Sequence, residues 1–239
     1  MKSEDKKAKK RQKAHQFKHP QDKNSVIRAL KKTWHFIWYD DSMLSWLVNL
    51  LLAFIIIKFI IYPGLGLIFS TSFPIVAVVS ESMEHPQGFD EWWHSEAYCG
   101  HYTCKVKCLC NQQDWYMNNN ITKSEFKTYP FSNGFNKGDI MVLFGIDSKD
   151  VKIGQVIVFN ANKEYPIIHR VIKIRNEEKI YFETKGDHNQ NYINDGRLNE
   201  KAVSESQLLG KAVLRIPLLG YIKIWFTDFL VKPLFGLLH

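Results

Sequence analysis

The chain has 239 residues, 45% of them hydrophobic and 23% charged, which suits one or two modest globular domains. Its net charge of +8 is confined to the first forty residues, where 12 Lys/Arg face 4 Asp/Glu, while residues 41–239 hold 20 of each. Basicity confined to a tail excludes a nucleic-acid-binding reading of the folded part. A basic tail beside an apolar run points instead to an anionic membrane face.

Residues 1–33 are rich in Lys, Gln and His and carry almost no large apolar residue before Val26. They cannot bury a core and are expected to be mobile. From Leu44 to Leu67 the chain reads LSWLVNLLLAFIIIKFIIYPGLGL, 24 residues with one charge, Lys58. A helix of that length reaches about 36 Å, enough to cross a hydrocarbon core of about 30 Å with some tilt. Trp34, Trp38, Tyr39 and Trp46 on one side and Tyr62 on the other resemble interfacial aromatic belts. Pro63 and Gly64 are expected to loosen or end the helix. A buried core helix is disfavoured by the length. A cleaved signal peptide is disfavoured by the long basic approach and by the lack of an A-x-A-like site afterwards. The expected organisation is therefore a cytoplasmic tail over 1–43, a single-pass anchor over 44–67 in the cell membrane, and an exterior β domain over 68–216.

The exterior part reads as β. Ile75–Val79, Asp139–Phe144, Gln155–Phe159, Pro166–Ile174, Ile180–Glu183 and Lys211–Ile216 are short, β-branched runs separated by Gly, Asn, Asp and Lys. The expected fold class is mostly β, a compact domain behind one N-terminal transmembrane helix. Residues 87–137 break the pattern and read as an insertion. They include Trp92, Trp93, an acceptor-type Asn120-Ile121-Thr122 and all four cysteines. Cys99, Cys104, Cys108 and Cys110 do not match common zinc spacings. Outside the membrane two disulfides are the favoured reading, with zinc (aided by His94 or His101) and free thiols as alternatives. The segment 217–239 is apolar but interrupted by Lys223, Asp228, Lys232 and Pro233. It is expected to lie at the interface or on the domain rather than to span.

Three groups carry candidate chemistry. Ser80-Glu81-Ser82-Met83 follows directly on an apolar strand, where a serine can be held rigidly and exposed. His169 sits within a later apolar strand, and imidazole suits the removal of a seryl proton. Thr184-Lys185-Gly186-Asp187 and Asp195 supply two acids, either of which could orient the imidazole. His85, close to Ser82 in sequence, is a rival base. Gly138-Asp139 reads as a turn that starts a strand.

Together these segments resemble the boxes of type I signal peptidases. SESM with Pro86 resembles the nucleophile box, with one extra residue among Glu84 and His85. GDIMV at 138–142 resembles the second box, IHRVI at 168–172 the base-bearing box, and KGD at 185–187 with Asn189 the last. His169 stands where bacterial members carry lysine, which resembles the archaeal and endoplasmic-reticulum branch. The resemblance implies Ser82 as nucleophile, Ser80 as an oxyanion donor and His169 as general base. Asp195 is favoured as the orienting acid and Asp187 as its structural support, although His188–Asn194 is longer than the eukaryotic spacing. It further implies signal-peptide-bearing pre-proteins as substrates, cleavage after small residues, no metal or organic cofactor, and room for other membrane subunits. The alternatives are a related membrane protease with another substrate and a membrane-anchored β-domain binding protein without catalysis.

Overall fold

The computed structural model describes residues 21–101 and 104–221. The first twenty residues of the basic tail, and most of the C-terminal apolar segment, lie outside the described residues. Contacts divide the chain into two units, Met1–Ile61 and Tyr62–His239.

In the first unit, α1 (Gln21–Tyr39) occupies part of the stretch expected to be mobile. The correction has a local cause: Val26, Leu30, Trp34 and Trp38 recur every fourth residue and form one apolar stripe. A turn then leads to α2 (Met43–Ile56), with Ser42 as N-cap accepting from the Ser45 N–H at 3.2 Å. Ser45 Oγ and Asn49 Nδ2 donate to the carbonyls of Phe36 and Ile37 at 2.6 and 2.8 Å. These carbonyls lie in the last turn of α1, where a helix leaves its C=O groups without partners.

The apolar helix runs from Met43 to Phe69, 27 residues with a mean hydropathy of 2.4, long and apolar enough to span a membrane. Pro63 does not end it. A π-helical turn, Ile57–Ile61, precedes α3 (Tyr62–Phe69), and such a widened turn makes room for the proline ring beside the carbonyl four residues earlier, which loses its N–H partner. Lys58, the one charge in the run, lies 5.6 and 5.5 Å from the ring centres of Phe54 and Phe59.

The second unit is mostly β. Seven strands form one curled antiparallel sheet: β1 (Ile75–Ala77), β4 (Ile140–Phe144), β5 (Val156–Phe159), β6 (Ile167–Asn176), β7 (Ile180–Lys185), β8 (Val203–Ser204) and β9 (Leu208–Ile216). Their order is β1-β4-β9-β5-β6-β7-β8. β5 explains why the sheet reads as unbroken apolar runs. Val156 and Val158 join one core with Met83, Phe135, Met141, Leu143 and Ile168. Ile157 and Phe159, on the other face, join Val151, Val171, Phe182 and Val203. A strand covered on both faces has no polar alternation.

The segment 87–137 builds its own small architecture. α4 (Phe89–Trp93), the hairpin β2–β3 (Glu96–His101 and Cys104–Asn111), α5 (Gln112–Asn118) and α6 (Lys123–Phe126) follow in order. Asn111 caps α5 and Thr122 caps α6. Trp92, Trp93, Trp115, Tyr116 and Phe126 form an aromatic core closed by Ile172 of β6. A disulfide joins Cys99 to Cys110 across the hairpin, and Cys108 is also disulfide-bonded. These three sulfurs are therefore not available as zinc thiolates.

Candidate active site

β1 ends at Ala77, and the chain turns through Ser80–Met83. Met83 is fully buried in the sheet core, which fixes the turn from below. Ser82 Oγ lies 3.0 Å from His169 Nε2, and Ser80 Oγ lies 3.1 Å from Ser82 Oγ. His169 stands on β6 opposite Ile157 of β5 and is 4% exposed. Of the candidates named from sequence, Ser80, Ser82 and His169 come together.

The two aspartates do not join them. His169 Nδ1 hydrogen-bonds Glu200 Oε1, a residue that sequence reasoning passed over. Glu200 is fully buried, and its Oε2 accepts the Ile193 N–H at 2.6 Å. Asp195 is exposed: it pairs with Lys163 Nζ at 2.5 Å and accepts the N–H groups of Arg197 and Leu198. The cause is a small hairpin. Gly196 has φ +76°, and Asn194 bridges Asn199. The chain does turn back towards the histidine there, but Asp195 sits at the tip and Glu200 on the returning arm. Only burial distinguishes Glu200; its setting, LNEK, carries no motif.

Asp187 anchors the neighbourhood instead. Arg170, one residue beyond His169 and so on the other face of the strand, reaches it with Nε at 2.8 Å and a second nitrogen at 2.6 Å. His85 Nε2 lies 3.1 Å from Asp187 Oδ2, and Tyr116 Oη donates to Oδ1 at 3.2 Å. Burial works against ionisation of Asp187. The charge of Arg170 and the hydrogen bonds from His85 and Arg170 prevail and hold its carboxyl well below the usual carboxylate range. His85, the rival base, is stacked on Trp92 with ring centres 3.7 Å apart, and this nitrogen is engaged by Asp187 rather than by Ser82.

The loop after β7 straps the site. His188 N–H donates to Ser82 O at 2.8 Å. A Cβ on Gly186 would come within 2.8 Å of Ser82 O and 2.9 Å of His169 Nε2, so the close approach requires glycine. Lys185 is wholly buried, donating to Gln112 Oε1, Gly186 O and Asp187 O at 2.9–3.1 Å. Burial draws its pKa down to about 7 against the opposing pull of Asp187 and Glu200. Beside the serine opens a cleft of about 330 Å³, lined by Ala77, Val79, Ser80, Ile167, His169 and neighbours, with Lys163 and Arg197 among them.

A hydroxyl, an imidazole and a carboxylate in series are the parts of a serine-hydrolase site. The comparisons point to one class of such proteins: the chain is similar to catalytic subunits of the signal peptidase complex. It is 37% identical to the signal peptidase complex catalytic subunit SEC11 of Lachancea thermotolerans over 102 residues, 39% of this chain and 59% of that protein. It is 32% identical to SEC11 of Clavispora lusitaniae over 107 residues, 39% of this chain and 58% of that protein. The human subunit SEC11C is 29% identical over 101 residues, 40% of this chain and 52% of that protein. The match thus spans little more than half the length of these relatives. No family model matches the chain.

Proposed function

We propose that this protein is a membrane-bound serine endopeptidase that removes signal peptides from pre-proteins. The observation that carries the reading is the series Ser82 Oγ, His169 and Glu200, in contact in that order. In this mechanism Ser82 Oγ attacks the scissile carbonyl while His169 Nε2 takes its proton. Glu200, accepting from Nδ1, fixes the tautomer and stabilises the imidazolium. Ser80 Oγ and the Ser82 N–H receive the developing oxyanion. His169 then protonates the leaving amine; water, deprotonated by His169 in turn, attacks the Ser82 ester, releasing the acyl part as a carboxylic acid and restoring the seryl hydroxyl. Asp187 acts as a brace: it neutralises Arg170 and ties the nucleophile turn to the loop after β7.

The substrate class rests on the relatives and on the cleft. Ala77, Val79 and Ile167 offer apolar walls next to the serine, suited to small side chains ahead of the cleaved bond. In the same proposal the helix Met43–Phe69 anchors the chain once. The basic N-terminus is cytoplasmic by the positive-inside rule, and the β unit faces outside. Other membrane subunits are compatible with this arrangement, since the relatives' name places them in a complex. Incubation of the purified chain with a pre-protein in detergent, followed by N-terminal sequencing of the product, tests the function. The expected cut follows a small residue at the end of the signal peptide; no product, or a cut elsewhere in the pre-protein, contradicts it.

A further inference from the structure

Among the described residues, α1 is the one long helix whose apolar face has no role in the site or the span. Val26, Leu30, Trp34 and Trp38 lie along one stripe at 59–64% exposure, with Ile27 beside them. The rings of Trp34 and Trp38 are 5.6 Å apart and both open to solvent. Lys31, Lys32, Arg28 and His35 occupy the arc beyond the stripe, and from Val26 to Tyr39 there is no acid. Exposed tryptophans beside exposed leucine are costly in water. At a headgroup layer the same face is favourable: the apolar side sinks to the acyl boundary and long basic side chains reach the phosphates.

The connection to the span fixes where the stripe must be. Three residues separate Tyr39 from Met43, the first residue of the 27-residue apolar helix. Ser45 and Asn49 then tie the start of that helix to the last turn of α1. If Met43–Phe69 crosses a bilayer, the last turn of α1 is held within about one helix diameter, 10–12 Å, of its surface, and the apolar stripe running from there gives the rest of the helix a reason to lie along it. We infer that α1 is an interfacial helix that seats Val26, Ile27, Leu30, Trp34 and Trp38 in the bilayer surface and binds anionic lipid headgroups through Arg28, Lys31 and Lys32. The inference rests on the membrane-span reading above and adds a lipid-binding surface to it.

The test uses the full chain in lipid nanodiscs of phosphatidylcholine alone, or of phosphatidylcholine mixed with phosphatidylglycerol, and reads hydrogen–deuterium exchange of amides 26–38. Exchange should slow about tenfold or more in the anionic discs, at roughly one favourable contact per basic residue. High salt should reverse the effect by screening. The pair Lys31→Glu and Lys32→Glu should abolish the difference, and Trp34→Glu should raise exchange in both lipids. Equal exchange in the two lipids overturns the inference. So does protection that survives the charge reversals, which would assign the stripe to a second copy or another subunit. Extraction of the chain from vesicles by alkaline carbonate overturns the span reading together with this one, whereas retention with lipid-independent exchange overturns this one alone.

Discussion

Glu200→Gln is the substitution that separates this site from the one the sequence suggested. The two side chains have the same shape, so the buried volume is unchanged. The hydrogen bonds are not. The carboxylate accepts from His169 Nδ1–H and the Ile193 N–H, and more distantly from the Thr184 hydroxyl at 3.4 Å, whereas glutamine has one oxygen and one NH₂. With the oxygen kept on Ile193, the NH₂ faces Nδ1 and forces the proton onto Nε2, where it can no longer accept from Ser82. With the amide flipped, two donors face each other at Ile193. The backbone bonds of Glu200 to Ile193 and Thr184 do not involve the side chain, so the fold should persist. Serine proteases forced into the wrong tautomer lose about 10⁴-fold in kcat, about 5.5 kcal/mol of transition-state stabilisation. The assay is single-turnover cleavage of a pre-protein, with a thermal melt as control. Near-normal turnover in Glu200→Gln, with a folded but inactive Asp195→Asn, would refute the reasoning and restore Asp195 to the site.

Other outcomes follow from the same geometry. Ser80→Ala should lower turnover by about 10–1000-fold, as for loss of one oxyanion donor, with little change in melting temperature; unchanged turnover would remove Ser80 from the site. Asp187→Asn leaves Arg170 buried without its counter-charge and should destabilise the fold by about 3–5 kcal/mol in a denaturant titration. Because the Asp187 carboxyl is held below its usual range, its contribution to stability is complete above pH 4 or so and is lost as pH falls through the folded value. The melting temperature of the wild type should therefore drop more steeply on acidification than that of Asp187→Asn, and parallel curves would count against the brace. Lys185 gives a slope of the same sign in a higher pH window, although here the shift costs stability while the ammonium is charged. Its pKa falls to about 7 on folding, so the unfolded chain binds more protons from there up to the ordinary lysine value of about 10.4, and stability should rise with pH across that window. Lys185→Met should flatten that rise in a urea titration series.

The sheet was legible because its strands are β-branched runs cut by turn residues, and six of the seven were located from that pattern. The seventh, Val203–Ser204, is too short to carry a period. The β2–β3 hairpin was hidden because its inward residues include Ala97 and Cys99 rather than large β-branched side chains; they pack on the aromatic cluster, and a disulfide links the two strands. The apolar helix was legible by length, but not its passage through Pro63, which depends on a π-helical turn. α1 was obscured by averaging composition over residues 1–33, since its apolar stripe starts only at Val26. In the site, Ser82 and His169 each stand in a recognisable setting. The acid does not: which carboxylate a hairpin delivers depends on where its tip falls, and four residues separate the tip residue Asp195 from Glu200.

The most direct test compares wild type and Ser82→Ala on one pre-protein, in the same detergent and at equal folded concentration. The account predicts release of the mature chain by the wild type and none by Ser82→Ala, whose melting temperature should change little because the half-buried hydroxyl hydrogen-bonds only His169 and Ser80 among the described residues and fills little core volume. Equal cleavage by the two proteins would contradict it.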